Sequence, residues 1–120
     1  MDERADLLER TKQFSLRVIR LYSALPETTE CRVIGKQILR SGTSVGAHVR
    51  EGKRSRSKAE MISKTEVALQ ELEETIYWME LLVESGIVKP RRLSELMREA
   101  DELMAILVTS VKTLKHRTRK

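Results

Sequence analysis

The stretch GTSVGAHVREGKRSRSKAE, residues 42–60, joins the end of one predicted helix to the start of the next. Gly42 and Gly46 lie one helical turn apart among small residues, although glycine inside a helix costs about 0.5–1 kcal/mol relative to alanine. The pair therefore predicts a low ridge on which a neighbouring helix packs closely. A nucleotide-binding loop would need a strand-to-helix turn with a lysine followed by a serine or threonine at set spacing. The stretch has neither such a turn nor that spacing.

The composition of the whole chain favours helices. Of its 120 residues, 40% are hydrophobic but only 3% are aromatic, and two prolines and five glycines leave few helix breakers. A sandwich or barrel would need more turn residues and more β-branched or aromatic strands. The length fits one domain, residues 1–120. We therefore predict a single all-α domain.

Apolar residues recur every three or four positions in four runs, as in helices with one buried face. The predicted helices cover approximately residues 3–25, 27–51, 57–85 and 90–116, followed by a basic tail at 117–120. Ser57 opens a capping-box pattern with Glu60, Gly86 suits the end of the third helix, and Pro26 and Pro90 suit first helical turns. Because the connections are short, neighbouring helices should run antiparallel in an up-down-up-down bundle.

The same spacing predicts which residues form the core. In the first helix the buried stripe is Leu7, Thr11, Phe14, Val18, Leu21 and Leu25. In the second it is Ile34, Ile38, Ser41, Val45 and His48. In the third it is Ile62, Thr65, Leu69, Leu72, Ile76, Met79 and Val83. In the fourth it is Leu93, Leu96, Ala100, Leu103, Leu107, Val111 and Leu114.

Charge is distributed unevenly along the chain, whose net charge is +5. Residues 31–58 contain eight Lys or Arg against one Glu, and residues 59–86 contain one Lys against seven Glu. The final segment, residues 112–120, has five cations and no acid. In an up-down-up-down bundle the turn before the third helix and the end of the fourth lie at the same pole, so the two basic zones should converge there.

This basic end is the predicted binding site for a phosphate backbone. Cations and the amides at a helix N-terminus both attract phosphate, and no Phe, Tyr or Trp lies among the cations, so we expect no base-specific readout. A solvated turn that only maintains solubility is the alternative interpretation. The candidate residues are Arg50, Lys53, Arg54, Arg56, Lys58, Lys112, Lys115, Arg117 and Arg119.

Residues 39–82 resemble the four-helix bundle protein family first noticed in intervening sequences of bacterial large-subunit ribosomal RNA genes. The family pattern is Ser-x-x-Ser-apolar-x-x-Asn-apolar-x-Glu-Gly, a short basic turn, then Ser-Lys-x-Glu-apolar. His48 stands where the family usually has Asn. The matching residues are Ser41, Ser44, Val45, Val49, Glu51, Gly52, Ser57, Lys58, Glu60 and Met61.

This resemblance implies a left-handed antiparallel bundle and, commonly, a homopentameric ring. Relatives include the accessory variability determinant of diversity-generating retroelements, a basic ring protein that associates with a reverse transcriptase and with nucleic acid. Val67, Trp78 and Leu81 lie beside the core stripe of the third helix, and burial within their own bundle is one interpretation. Because a ring needs anchors, we predict these three at the oligomer interface, with the acidic flank at Glu71 and Glu74 facing a neighbour's basic second helix.

The sequence gives little sign of catalysis, metal binding or membrane insertion. A di-iron bundle needs two Glu-x-x-His motifs, whereas the only histidines are His48 and His116. Cys31 is the only cysteine, which excludes an internal disulfide and favours a reducing compartment. No apolar run approaches the roughly 20 residues that span a bilayer. We expect a cytoplasmic protein that is not an enzyme and has no metal or cofactor.

These observations predict a non-catalytic, ring-forming helical scaffold that binds RNA or a ribonucleoprotein through its basic end. The alternative is a protein-interaction adaptor for a partner enzyme, such as the reverse transcriptase of a diversity-generating retroelement.

Overall fold

Four long helices account for most of the residues that the computed structural model describes, which are residues 3–118, with side chains described for residues 6–117. They are α1 (Glu3–Ala24), α2 (Thr29–Lys53), α3 (Lys58–Glu84) and α4 (Pro90–Thr118). Residues 3–118 contain no strand. The predicted all-α fold is confirmed.

Neighbouring helices in the chain run in opposite directions. Lys64 near the start of α3 pairs with Glu51 near the end of α2, with Nζ 3.1 Å from Oε2. Lys115 near the end of α4 pairs with Glu66 in the first half of α3 at 3.0 Å. The bundle is long and narrow, with extents of 51 × 22 × 21 Å. Its left-handed sense stays a prediction.

The start of α2 differs from the prediction. Pro26 lies in the connection rather than in the first helical turn, because α2 begins at Thr29. The hydroxyl of Thr28 accepts a hydrogen bond from the backbone N–H of Cys31 at 3.3 Å, which makes Thr28 the N-cap.

Three other residues predicted at helix ends lie there, although α2 continues to Lys53 and α4 to Thr118. Ser57 caps α3, where its hydroxyl accepts from the Glu60 N–H at 3.1 Å. Gly86 has a φ of 81° just after α3, a conformation that glycine adopts readily. Pro90 is the first residue of α4.

α1 packs closely on α2 at the glycines of α2. A Cβ placed on Gly42 would lie 2.8 Å from both methyl carbons of Val18, and one on Gly46 would lie 3.3 Å from the backbone oxygen of Thr11. Val18 and Thr11 are fully buried, so neither has space to move aside. The predicted ridge is confirmed. Its glycines allow α1 and α2 to lie closer together than alanine would.

The burial of residues confirms the predicted core stripe of α4 completely and that of α1 in large part. All seven predicted residues of α4 are buried, and so are Leu7, Thr11, Phe14 and Val18 of α1. Leu21 and Leu25 are half-buried and pack against the core.

The predicted stripe of α3 is partly wrong. Thr65, Leu72 and Met79 are buried as expected. The other inward positions are occupied by Ala68, Thr75 and Leu82, while Ile62, Leu69, Ile76 and Val83 are only half-buried. The reason is that α3 has apolar residues on two adjacent faces, so spacing alone does not determine which face turns inward.

A buried polar contact joins α2 to α3 within this core. Thr75 Oγ1 and Ser41 Oγ lie 2.8 Å apart, and both residues are fully buried. Since a buried hydroxyl without a partner would cost about 1–3 kcal/mol, the pair fixes these two helices against each other.

Gly42→Ala tests the close packing of α1 on α2. Alanine is about 1 kcal/mol better in a helix, but the added methyl overpacks the seam against Val18, which typically costs about 1–3 kcal/mol. We expect a net loss of about 1 kcal/mol in the free energy of unfolding, measured by urea denaturation followed by circular dichroism. Gly46→Ala, with neighbours at 3.3 Å, should lose less. A Gly42→Ala protein as stable as wild type would contradict this packing.

Candidate nucleic-acid interface

The two basic zones lie at the same end of the bundle, as predicted. Lys53 at the end of α2, Met61 in the first turn of α3 and Leu114 near the end of α4 line one cleft of about 290 Å³. We call residues 50–58 the basic turn, and the basic turn together with residues 112–117 the basic pole.

The basic turn presents unpaired positive charge to solvent. Within the described side chains, none of its cations lies within 4.0 Å of a carboxylate oxygen. All five are exposed: Arg50, Lys53, Arg54, Arg56 and Lys58. An anion that approaches this turn therefore has no internal acid to displace.

Hydrogen bonds fix the backbone of the basic turn. The N–H of Arg54 donates to Glu51 O at 3.1 Å, and the N–H of Ser55 donates to Gly52 O at 3.2 Å. The Ser55 hydroxyl also donates to Gly52 O at 2.6 Å. The cations thus project from a turn whose conformation is set before any ligand arrives, which reduces the entropy lost on binding.

Some of the helix amides at this turn are already occupied, so side chains are the main candidate donors. The hydroxyl of Ser57 already accepts from the Glu60 N–H, so that amide is occupied. Arginine provides a planar fork of N–H donors that matches a phosphate. Arg54 and Arg56 are therefore the strongest phosphate-binding candidates of the turn.

The structure adds Lys12 of α1 to this surface. Lys12 is exposed and lines a groove of about 420 Å³ between α1 and α2, together with Arg50 and Arg54. Sequence reasoning missed Lys12 because it is far from the basic turn along the chain. Only the position of α1 beside α2 brings them together.

The cations at the end of α4 are not equivalent. Lys112 and Arg117 are exposed and suit the negative end of the helix dipole. Lys115 pairs with Glu66 at 3.0 Å, so it is a weaker candidate than the sequence indicated. Arg119 lies outside the described residues.

His48 is not part of the buried stripe, in contrast to the prediction. It is half-buried, and the adjacent Val49 is buried instead. Its Nδ1 lies 2.8 Å from Ser44 O. Because a carbonyl oxygen only accepts, Nδ1 donates in this contact, and His48 is held by its own helix.

The predicted oligomer-interface residues are Val67, Trp78 and Leu81, and all three are half-buried within the chain. They share a helical stripe with Glu71 and Glu74, which pair with Arg40 of α2 in the same chain; the Glu71 contact is 3.0 Å. The hydrogen bond that Arg40 donates to Glu74, with the charges of both carboxylates, raises the pKa of Arg40 above its ordinary value. These two carboxylates thus join α2 to α3 within one chain, and the contact of this acidic flank with a neighbouring subunit stays a prediction.

Trp78 also packs against the core of its own bundle. Its ring meets the Tyr77 ring edge to face, with centroids 5.2 Å apart. Its Nε1 atom is buried and has no hydrogen-bond partner among the described residues. This is an unusual state for an indole N–H.

The described residues contain neither a metal-binding group of side chains nor a helix that could span a membrane. No three His, Cys, Asp or Glu side chains in residues 6–117 are grouped to hold a metal ion. None of the described helices combines the length and apolar character needed to cross a membrane.

Comparison with protein families identifies the chain. The model of the 23S rRNA-intervening sequence protein family matches residues 3–109. The chain belongs to this family. The resemblance first seen in residues 39–82 is confirmed, and it extends over most of the chain. Among curated proteins no match is found.

A solved structure is also similar to this chain. It is the crystal structure of a protein from Bacteroides thetaiotaomicron VPI-5482, described as a protein with unknown function from the S23 ribosomal protein family. The two chains share 32% sequence identity with a TM-score of 0.87, and the match covers 92% of this chain and 99% of the other. The bundle is thus shared at close to full length.

Trp78→Phe tests the energetic effect of the unpaired indole N–H. A buried donor without a partner costs about 1–3 kcal/mol, and phenylalanine removes it while keeping an aromatic ring. We expect Trp78→Phe to stay within about 1 kcal/mol of wild type in free energy of unfolding, whereas Trp78→Ala should lose about 2–4 kcal/mol. Urea denaturation measures both. Equal losses in the two variants would mean that the indole nitrogen has a partner.

Proposed function

We propose that this protein is a non-catalytic helical scaffold that binds RNA through its basic pole. The proposal is carried by one observation: unpaired, exposed cations from two distant segments share one end of the bundle. Neutralising phosphates with these cations releases counterions, which supplies affinity without regard to base sequence. The basic pole has no Phe, Tyr or Trp, so base stacking on these residues does not add to the electrostatic affinity.

Phosphate contacts do not distinguish RNA from DNA, so the choice of RNA is part of our proposal. We propose structured RNA or a ribonucleoprotein, met in the cytoplasm. The contacts are to phosphate, with Arg54 and Arg56 as forked donors and Lys53 and Lys58 as point charges.

We also propose that copies of the chain assemble into a ring, a pentamer in the form that the resemblance implies. Val67, Trp78 and Leu81 remain the proposed anchors. Leu16 and Ile19, one turn apart on α1, are 38% and 42% exposed and offer further apolar surface. A ring that turns its basic poles to one side binds RNA at several points, which raises avidity without new contacts.

The alternative function is an adaptor for a partner enzyme such as a reverse transcriptase. In that role the basic pole only guides docking, and RNA affinity is weak. The two functions differ in what the basic turn contributes to RNA binding.

The triple variant Lys53→Glu/Arg54→Glu/Arg56→Glu tests RNA binding at the basic pole. We expect RNA affinity at low salt to fall at least about tenfold and the slope of log K against log salt to decrease by about 2, since roughly three phosphate contacts are lost. The measurement is a fluorescence-anisotropy titration of a labelled RNA hairpin and of an unrelated single strand. Both RNAs should lose affinity alike.

A matched control carries the same change of charge elsewhere. Arg32, Lys36 and Arg98 are exposed and, among the described side chains, unpaired. Their triple change to Glu should alter RNA affinity no more than about threefold, through the general field alone. Equal losses in both triple variants would reject the basic pole as the site. Equally weak binding by wild type and the first variant would favour the adaptor.

Light scattering tests the ring. The full chain at micromolar concentration should have a mass several times the 13.9 kDa of one copy, and five times that value for a pentamer. Val67→Arg/Leu81→Arg should lower the mass by placing charge in the anchors. Ser94→Arg/Thr109→Arg, at exposed positions of α4, is the control and should leave it unchanged. Circular dichroism verifies helicity, and a monomeric wild type would exclude the ring.

A further inference from the structure

A second cationic surface lies at the opposite end of the bundle, where sequence analysis predicted none. A groove of about 560 Å³ opens between the last turns of α1 and the start of α4. We call it the α1–α4 groove. Its four cations are Arg17, Arg20, Lys89 and Arg92.

The floor of the α1–α4 groove is apolar. It includes Leu21 of α1, Leu25 just after α1, Ile87 and Val88 of the α3–α4 connection, and Leu93 and Leu96 of α4. The lining contains neither an acidic nor an uncharged polar side chain. A ligand that fits this lining combines apolar groups with negative charge.

The cations of the groove are available to such a ligand. Arg20, Lys89 and Arg92 are exposed, and Arg17 is half-buried. In the part of the chain with described side chains, none of the four pairs with a carboxylate.

The floor is preformed by the core and by the α3–α4 connection. Leu93 and Leu96 are buried, and Ile87 and Val88 pack against the core. The N–H of Val88 donates to Leu82 O at 3.0 Å, which ties the connection to the end of α3. Binding therefore does not have to order this segment first.

We propose that the α1–α4 groove binds an acidic amphipathic helix of a partner protein. Residues 17–24 of α1 span about 11 Å at 1.5 Å per residue. This is about two helical turns, the length over which a docked helix places apolar anchors at i, i+3 or i+4, and i+7. The cations at the rim pair with Asp or Glu beside those anchors and set the register of the docked helix.

A nucleic acid fits this lining less well. It would leave the apolar floor unused and would find no aromatic residue in the lining to stack on. Because the groove lies at the end away from the basic pole, the inference does not depend on RNA binding.

The test uses a synthetic peptide and the full chain. The probe is a fluorescein-labelled 15-residue helical peptide with leucines at i, i+3, i+4 and i+7 and glutamates at the flanking positions. A scrambled peptide of the same composition is its control. By fluorescence anisotropy, the amphipathic peptide should bind at least about tenfold tighter than the scrambled one, because only it presents a continuous apolar face.

Charge reversal locates the binding. Arg17→Glu/Arg92→Glu should weaken binding of the amphipathic peptide at least about tenfold, while Lys36→Glu/Arg98→Glu, with the same charge change outside the groove, should change it no more than about twofold. Hydrogen exchange of the wild-type protein with the peptide should show protection within residues 17–25 and 87–96. Excess RNA should not displace the peptide.

Several results would overturn the inference. These are equal binding of both peptides, equal losses in the two charge-reversed variants, or protection of the groove by RNA instead of peptide. A lower assembly mass in Arg17→Glu/Arg92→Glu would also overturn it, because the groove would then be covered by another copy of the chain. The RNA titration of the basic-turn variants is a separate measurement, so failure of the groove proposal and failure of the RNA proposal are distinguishable.

Discussion

Short connections between long helices are the constraint on which the rest of the structure depends. Residues 54–57 separate α2 from α3, and four residues span at most about 14 Å, whereas α2 is roughly 37 Å long at 1.5 Å per residue. Each helix must therefore run back along the one before it. This arrangement brings the end of α2, the start of α3 and the end of α4 to one pole. The basic pole thus results from chain topology, despite the mutual repulsion of its cations.

Charged residues along the sides of the bundle form ion pairs between neighbouring helices. Arg10 of α1 contacts Glu99 and Glu102 of α4, with its shortest contact at 2.6 Å. The hydrogen bonds that Arg10 donates to Glu99 raise the pKa of Arg10. Arg40 joins α2 to α3 in the same way. Exposed pairs of this kind add little stability each. Their larger effect is to neutralise the charged side chains along the seams between helices.

Sequence patterns predicted the features that depend on residues close together in the chain, such as the helices, the core of α4 and the basic turn. The core of α4 was predictable because its apolar residues form a single stripe, whereas α3 is apolar on two faces and only packing decides between them. The basic turn is contiguous in the chain, so its cations were visible at once. Lys12 and the cations of the α1–α4 groove come from distant segments that no spacing connects. The pairing of Lys115 with Glu66 likewise depends on side-chain positions across a helix seam.

The presence of uncompensated cations at both ends of the bundle has a consequence for higher-order assembly. Two such molecules placed tip to tip bring like charges together, and at physiological ionic strength this repulsion acts over about 8 Å. The charge distribution therefore opposes growth into columns through contacts between the ends of the bundle.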